Sequence, residues 1–290
     1  MSDAADRYGP ERRRNVHVMD LFRLDGRVAV VTGGAGLYGA VISTALAEAG
    51  ATVIIASRTL QKCEERAVQL RDDGYQAFAM PLDLSDDESI IALRDRVVAV
   101  HGRVDILFNN AAGRAAGTAE EIVKRKFSLL QTSMQRMSRA QWEGAMAVNA
   151  SGLFVCTQVF AEQMIAQGEG GSIVNISSIY GIVGPTFPIY EGLGMTSPPD
   201  YSFAKGGIIN FTRFAATYYA EHGIRVNCIS PGGYYGGQPG EFVRRYEQRT
   251  PLGRMAVWND LKGAAVFLAS DAAQYVTGQN LAVDGGWTVW

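Results

Sequence analysis

The feature that most limits how this chain can fold is a junction near its start. The apolar run Val28 to Val31 leads into Thr32-Gly33-Gly34-Ala35-Gly36-Leu37-Tyr38-Gly39, and apolar residues then recur at helical spacing at Val41, Ala45, Leu46 and Ala49, up to Gly50. A β-branched run, a glycine-rich turn and an immediate helix predict a strand whose helix returns over the sheet. At such a turn the unpaired N–H groups of the first helical residues and the positive end of the helix dipole face one spot. Gly34, Gly36 and Gly39 spell G-x-G-x-x-G in the setting that the pattern requires, so the turn reads as a cradle for the pyrophosphate of a dinucleotide.

The same unit then repeats. Strands are expected over Thr52 to Ala56, Gln76 to Pro81, Asp105 to Phe108, Ile173 to Ile176, Arg225 to Ser230 and Gln279 to Val283. Helical patterns lie between them, over Leu60 to Asp72, Ser85 to Val100, a long helix from the capping box Ser138 to Gln141 through Trp142, Asn149 and Phe160, and Leu261 to Ala269. Unbroken alternation predicts an α/β fold, a doubly wound parallel sheet in a Rossmann-type, three-layer single domain. Residues 1–20 read as a flexible tail and 21–290 as the domain.

In such a sheet ligands meet the carboxyl ends of the strands. The second strand ends in Ser57-Arg58, with no acidic residue placed to hold ribose hydroxyls; Arg58 could instead pair with a 2′-phosphate, which favours NADP over NAD. Asp83 and Leu84 end the third, where a side chain could meet the adenine. Asn109-Asn110-Ala111-Ala112-Gly113 end the fourth, with small residues that allow close backbone approach. Pro231-Gly232-Gly233-Tyr234-Tyr235-Gly236-Gly237 follows the sixth and reads as a glycine-hinged lid.

The fifth strand delivers Ser177 and Ser178, and Tyr201 and Lys205 follow four apart on one helical face. An ammonium about 5 Å from a phenolate, at an effective dielectric of about 20, is worth about 3 kcal/mol. Lys205 is therefore expected to lower the Tyr201 pKa by about two from its usual value near 10. The phenol becomes a usable acid and base, and the Ser178 hydroxyl can hold a carbonyl or alcohol oxygen beside it.

Composition excludes other classes. The net charge of -2 and the lack of a basic face give no footprint for nucleic acid or an anionic membrane, so a small-molecule partner is expected. No segment is expected to reach the eighteen or so apolar residues of a membrane helix, and the polar first twenty residues resemble neither signal nor anchor. Cys63, Cys156 and Cys228, and His17, His101 and His222, show no metal-ligand spacing. A cytoplasmic protein without a metal site is expected. Arg12 to Arg14 read as a solvated patch, and the capping box Thr118 to Glu121 with Lys124, Arg125 and Lys126 as a surface helix or, alternatively, as a run that helps to hold an acidic substrate.

From about residue 24 onward the chain resembles the short-chain dehydrogenase/reductase family. The resemblance rests on the glycine turn, Asn109-Asn110-Ala111-Ala112, the helical Asn149, Asn175-Ile176-Ser177-Ser178, Tyr201-x-x-x-Lys205, Ser230-Pro231-Gly232 and Val283-Asp284-Gly285-Gly286, in the family's order. It implies hydride transfer between a nicotinamide and a carbonyl or secondary alcohol, in a homotetramer or homodimer. It also implies that Tyr201 is the general acid and base, that Ser178 orients the oxygen and that Lys205 tunes the phenol and binds the nicotinamide ribose. Asn149 is implied to hold a relay water. Carried over with them as cofactor contacts are Gly33, Gly36, Leu37, Tyr38, Gly39, Ser57, Arg58, Asp83, Leu84, Asn110, Ala111, Ala112, Pro231 and Gly232.

Two departures stand out. The turn spells T-G-x-x-G-x-x-G, commoner among nucleotide-sugar epimerases and dehydratases, where simple members have T-G-x-x-x-G-x-G. Ser178 and Tyr201 lie about ten residues further apart than is common, and the extra loop, with Phe187 and Tyr190, reads as a shaper of substrate choice. That insertion and Ser230-Pro231-Gly232-Gly233 resemble gluconate 5-dehydrogenase-like and surface-sugar-pathway members. The expected function is a ketone/secondary-alcohol oxidoreductase on a sugar- or polyol-like substrate. The alternatives are a nucleotide-sugar epimerase or dehydratase, a reductase of apolar or aromatic ketones, and a non-catalytic dinucleotide sensor.

Overall fold

All five residues of Val28–Thr32 are buried, which a strand achieves only when both faces of its sheet are covered, and this is β1. The computed structural model describes residues 16–113 and 133–290. Arg12 to Arg14, the Thr118 capping box and Lys124 to Lys126 lie outside the described residues. After β1 come α1 (Leu37–Glu48), β2 (Thr52–Ser57), α2 (Leu60–Asp72), β3 (Ala77–Pro81), α3 (Asp87–His101) and β4 (Ile106–Asn109). The second half contains α4 (Arg139–Met146), α5 (Leu153–Gln167), β5 (Gly171–Ile176), the single turn α6 (Ile179–Ile182) and α7 (Pro199–Tyr219). It closes with β6 (Ile224–Pro231), α8 (Gly240–Arg249), α9 (Lys262–Ala269) and β7 (Asn280–Val283).

Among the described residues the sheet has seven parallel strands in the order β3-β2-β1-β4-β5-β6-β7. The pleat sends alternate β1 residues to opposite layers. Ala29 and Val31 pack with Ile42 and Leu46 of α1, Leu70 of α2 and Leu268 of α9. Val28 and Val30 pack with Leu93 of α3, Phe160 of α5 and Ala216 of α7. The doubly wound, three-layer fold expected from the sequence is thus the one observed.

Three expectations change. Order begins before residue 21, because Val18–Phe22 forms a 3-10 turn that His17 caps and Phe22 packs on Phe267, ring centroids 6.4 Å apart. The long helix from the reciprocal Ser138–Gln141 capping box is interrupted by a π turn at Ala147–Gly152. An 18-residue window within Arg139–Gln167, of mean hydropathy 1.4, is also long and apolar enough, by length and composition, to cross a membrane. Much of its apolar surface is core instead, since Cys156, Val159, Phe160 and Met164 pack beneath the sheet.

Candidate active site

Strand order reverses between β1 and β4, and there the carboxyl ends part to open a cleft of about 500 Å³. Its floor is the glycine turn. Gly33 has φ +63°, and a Cβ on it would stand 2.8 Å from the Ala111 Cα; a Cβ on Gly39 would stand 2.0 Å from the Gly33 carbonyl oxygen. Only glycine leaves this backbone bare toward the cleft. Gly36 caps α1 without a side chain, and Leu37 and Tyr38 line the floor with it. Gly34, the first glycine of the literal fingerprint, instead packs toward Ser43 and the Val31 carbonyl.

Asn110 lines the cleft, but its amide works as a brace. Its Nδ2 donates to the Thr32 and Gly33 carbonyls (2.9 and 3.1 Å), while Thr32 Oγ1 accepts the backbone N–H of Asn110 and of Ala111 (both 3.0 Å). Ala111 and Ala112 complete that wall. Opposite stand Ser57 and Arg58, with Asp83 and Leu84 at the end of β3. Asp83 Oδ1 accepts from the Ser85 N–H and hydroxyl (2.9 and 2.6 Å), which folds this corner back on itself. Exposed Arg58 reaches across, its Nη2 3.9 Å from where a Gly113 Cβ would be. Lys62, in the first turn of α2, lines the same end. No sequence signal singles out Lys62 beyond its place four residues after Arg58. A bare backbone cradle at a helix N-terminus, with two cations across from it, fits a dinucleotide that carries a 2′-phosphate.

Beyond the cleft, β5 ends where the sequence places it. Ser177 Oγ donates to the Lys205 carbonyl at 2.7 Å, locking β5 to α7, and the Ser178 hydroxyl caps α6 by accepting the Tyr180 N–H at 3.2 Å. Pro199 occupies the first turn of α7, where its missing N–H has no helical partner to lose. Lys205, 3% exposed, donates to the Ile176 carbonyl at 2.7 Å and lies 5.7 Å from the centroid of the Tyr201 ring. Burial pushes its pKa down to about 8.

The expected lowering of the Tyr201 pKa is not found. Burial pushes the phenol up from its ordinary value, and the Ser178 hydroxyl, hydrogen-bonded to it, pulls it partly back. Desolvation of a phenolate outweighs a cation whose charge is shared with a carbonyl and which faces the ring. Ser178, Tyr201 and Lys205 nevertheless converge as the spacing predicts.

Asn149 sits in the π turn, and its amide has definite partners. Nδ2 donates to the Gly113 and Ala145 carbonyls (2.7 and 2.9 Å), and Oδ1 accepts the Gly113 N–H at 2.9 Å. The side chain therefore ties the loop after β4 to the helix, and one Oδ1 lone pair remains for any water.

The loop after β6 differs from a hinged lid. Gly232 N–H donates to the Val283 carbonyl at 2.9 Å, and Tyr235 N–H and Ala256 N–H exchange bonds with the segment opposite (2.9 Å each). The peptide joining Gly232 to Gly233 is held at both ends. The Tyr38 hydroxyl donates to its carbonyl, and its N–H donates to the Tyr246 hydroxyl. Tyr38 also meets Tyr234 edge to face at 5.5 Å, so the glycine turn and this loop form one unit. Of these glycines only Gly237 has a left-handed φ, +82°. Pro231, at the end of β6, and Gly232 thus lie beside the cleft, with Gly232 lining a neighbouring cavity of about 240 Å³.

The insertion between Ser178 and Tyr201 is also built in. Phe187–Tyr190 forms a 3-10 turn, and Arg245 of α8 donates to the Pro188 and Glu191 carbonyls (3.1 and 2.7 Å) while Glu241 holds its Nε at 2.7 Å. Behind it Tyr190 packs on Phe242, and Tyr246 stacks on the fully buried Trp287, centroids 5.4 and 4.2 Å apart.

Comparison with known proteins finds relatives along nearly the whole chain. A family model described as enoyl-(acyl carrier protein) reductase matches residues 36–288. The chain is 37% identical over 266 residues to cis-4-hydroxycyclohexanecarboxylate dehydrogenase of Sinomonas cyclohexanicum, covering 90% of this chain and 96% of that one. It is 34% identical to 2-dehydro-3-deoxy-D-gluconate 5-dehydrogenase of Escherichia coli K12, with 93% and 98% covered. The crystal structure of a gluconate 5-dehydrogenase from Burkholderia cenocepacia J2315, in complex with NADP and tartrate, superposes with a TM-score of 0.81 at 31% identity, covering 94% of this chain and all of that one.

Proposed function

The chain belongs to the short-chain dehydrogenase/reductase family, an NAD(P)-dependent oxidoreductase of CH–OH groups, and from that premise we propose that Ser178, Tyr201 and Lys205 interconvert a ketone and a secondary alcohol on a sugar- or polyol-like substrate, with NADP preferred. The observation that carries this is their convergence beside a cleft fit for a dinucleotide. Bound there, NADPH supplies the hydride in reduction and NADP+ takes it up in oxidation. Tyr201 gives its phenolic proton to the carbonyl oxygen in reduction and recovers it from the alcohol in oxidation. Ser178 donates a hydrogen bond to the same oxygen and fixes it against the phenol. Lys205, held by the Ile176 carbonyl, limits the cost of the phenolate that forms. Arg58 and Lys62 hold the 2′-phosphate, and Asn110, Asn149 and Tyr38 keep the backbone cradle in shape.

The substrate class follows from the relatives, which act on gluconate derivatives and a hydroxycyclohexane. Three buried free cysteines suit a cytoplasmic enzyme. Phe203, Phe214 and Tyr218 of α7 and Phe154 of α5 are half or more exposed, and Phe214 stacks between Phe211 and Tyr218 (6.5 and 6.0 Å). A second copy covering this face would make a homodimer or homotetramer, and light scattering of wild type beside Phe214→Glu tests it. The chemistry is tested by NADPH and NADH consumption with keto-sugars, keto-acids and simple ketones. Tyr201→Phe is expected to lose turnover with every member about a hundredfold or more; retention of most of it would remove the assigned role.

A further inference from the structure

Tyr180 stands two residues past Ser178, and Tyr190 is delivered by the insertion. Their hydroxyls meet at 2.7 Å, both rings are half-buried, and burial pushes both phenols above their ordinary pKa. The Tyr180 N–H is held by the Ser178 hydroxyl at 3.2 Å, which sets the pair beside the serine that bonds the reacting phenol. Both groups therefore stay neutral through the physiological range. Two phenols bonded to each other use one O–H between them, which leaves one O–H donor and free lone pairs. A group that both donates and accepts is the natural complement, and a neutral hydroxyl is such a group, whereas a carboxylate only accepts. Tyr180 is fixed by the Ser178 cap, and Tyr190 by Phe242 and by the Arg245 bonds to Pro188 and Glu191, so the pair is rigid.

We propose that the Tyr180–Tyr190 hydroxyl pair is a substrate subsite that binds a hydroxyl neighbouring the reacting carbon, so that this enzyme acts on α-hydroxy ketones and vicinal diols. The proposal rests on the catalytic reading of Tyr201 and gives the insertion its purpose. A site built to bond a hydroxyl discriminates against an analogue that lacks one, because its own polar groups are then left unpaired.

The test measures kcat and KM for erythrulose, cyclohexanone and 4-oxocyclohexanecarboxylate with NADPH, in wild type, Tyr180→Phe, Tyr190→Phe, the double variant and Tyr201→Phe. Each single Phe variant is expected to lose about 10-fold in kcat/KM for erythrulose, and the double variant little more, since the two act as a unit. Cyclohexanone should change by less than about threefold, because no bond to it is lost. Equal losses on erythrulose and cyclohexanone would mean a merely structural pair and overturn the proposal, as would a loss confined to the keto-acid. Activity that survives Tyr201→Phe, or no turnover of any of the three with cofactor bound, would overturn the catalytic reading and the subsite with it.

Discussion

The proposed cofactor side and the proposed substrate side of this site are made of different material. The first is mostly backbone: Gly33, Gly36 and Gly39 present bare peptide groups, braced by Thr32 and Asn110 through bonds between β1 and β4, which are neighbours in the sheet. The second is mostly side chain. Tyr180, Tyr190, Phe242, Tyr246 and Trp287 come from four separate segments and touch only because the insertion and α8 fold over the sheet. A backbone site tolerates no added atom but reads little of the ligand's identity. A side-chain wall tolerates substitution and reads a great deal.

The sharpest way to break this contrast is Gly39→Ala. Its new methyl would stand 2.0 Å from the Gly33 carbonyl, a contact that backbone alone must relieve. NADPH affinity, followed by fluorescence titration, is expected to fall about a hundredfold or more, with a stability loss of about 1–3 kcal/mol. A variant that binds normally would mean that the turn does not depend on the close approach.

The same contrast explains what the sequence made legible. The first strand–turn–helix unit is readable because geometry there dictates residue type: a left-handed φ at Gly33 and a forbidden Cβ at Gly39 leave one choice each. Tyr201 and Lys205 are readable because a helix fixes what four residues apart means. The π turn at Asn149 is not, since its hydrogen bonds to Gly113 join residues 36 apart and no local period marks them. Nor is the Tyr180–Tyr190 pair, whose partners are set by how the insertion folds. The direction of the Tyr201 pKa is not legible either, for a similar reason: spacing gives the cation's place, but burial depends on the whole fold.

Lys205 lies on the seam between the two sides, and its burial has a consequence for stability. The native ammonium loses its proton at about 8 rather than at the ordinary 10.5. Below 8 both states hold the proton and the native state bears the full cost of a buried charge. Between 8 and 10.5 the unfolded chain holds more protons than the native one, so stability rises with pH. Relative to Lys205→Met, the wild type should gain up to about 3 kcal/mol across this window in urea unfolding at fixed pH values. A flat difference would place the ammonium in contact with solvent.

Arg58 tests whether the cofactor side has any side-chain discrimination of its own. Arg58→Ala should weaken NADPH by about 10- to 100-fold, as expected for the loss of a charge-assisted bond, and leave NADH within about threefold. Lys62→Ala should act in the same direction and less, because an ammonium makes no bidentate contact. An unchanged preference for NADPH would move the phosphate contact elsewhere.

The smallest expected effect is the one that isolates the substrate side. Arg245 touches no reacting group. Its guanidinium ties α8 to the insertion through the Pro188 and Glu191 carbonyls, and Glu241, itself held below the usual carboxylate range by Arg244 and Arg245, orients it. Arg245→Ala leaves the turn, the cleft and the Tyr201 helix as they are but frees the loop that carries Tyr190. The substrate KM should rise by about 5- to 10-fold, the energy of one or two exposed hydrogen bonds, while kcat and the KM for NADPH change by less than about twofold. If kcat fell with the KM unchanged, the insertion would be acting on the reacting groups rather than on substrate binding. If both NADPH and substrate weakened together, the two sides would be one mechanical unit, joined through the Gly232–Gly233 peptide that Tyr38 and Tyr246 hold between them.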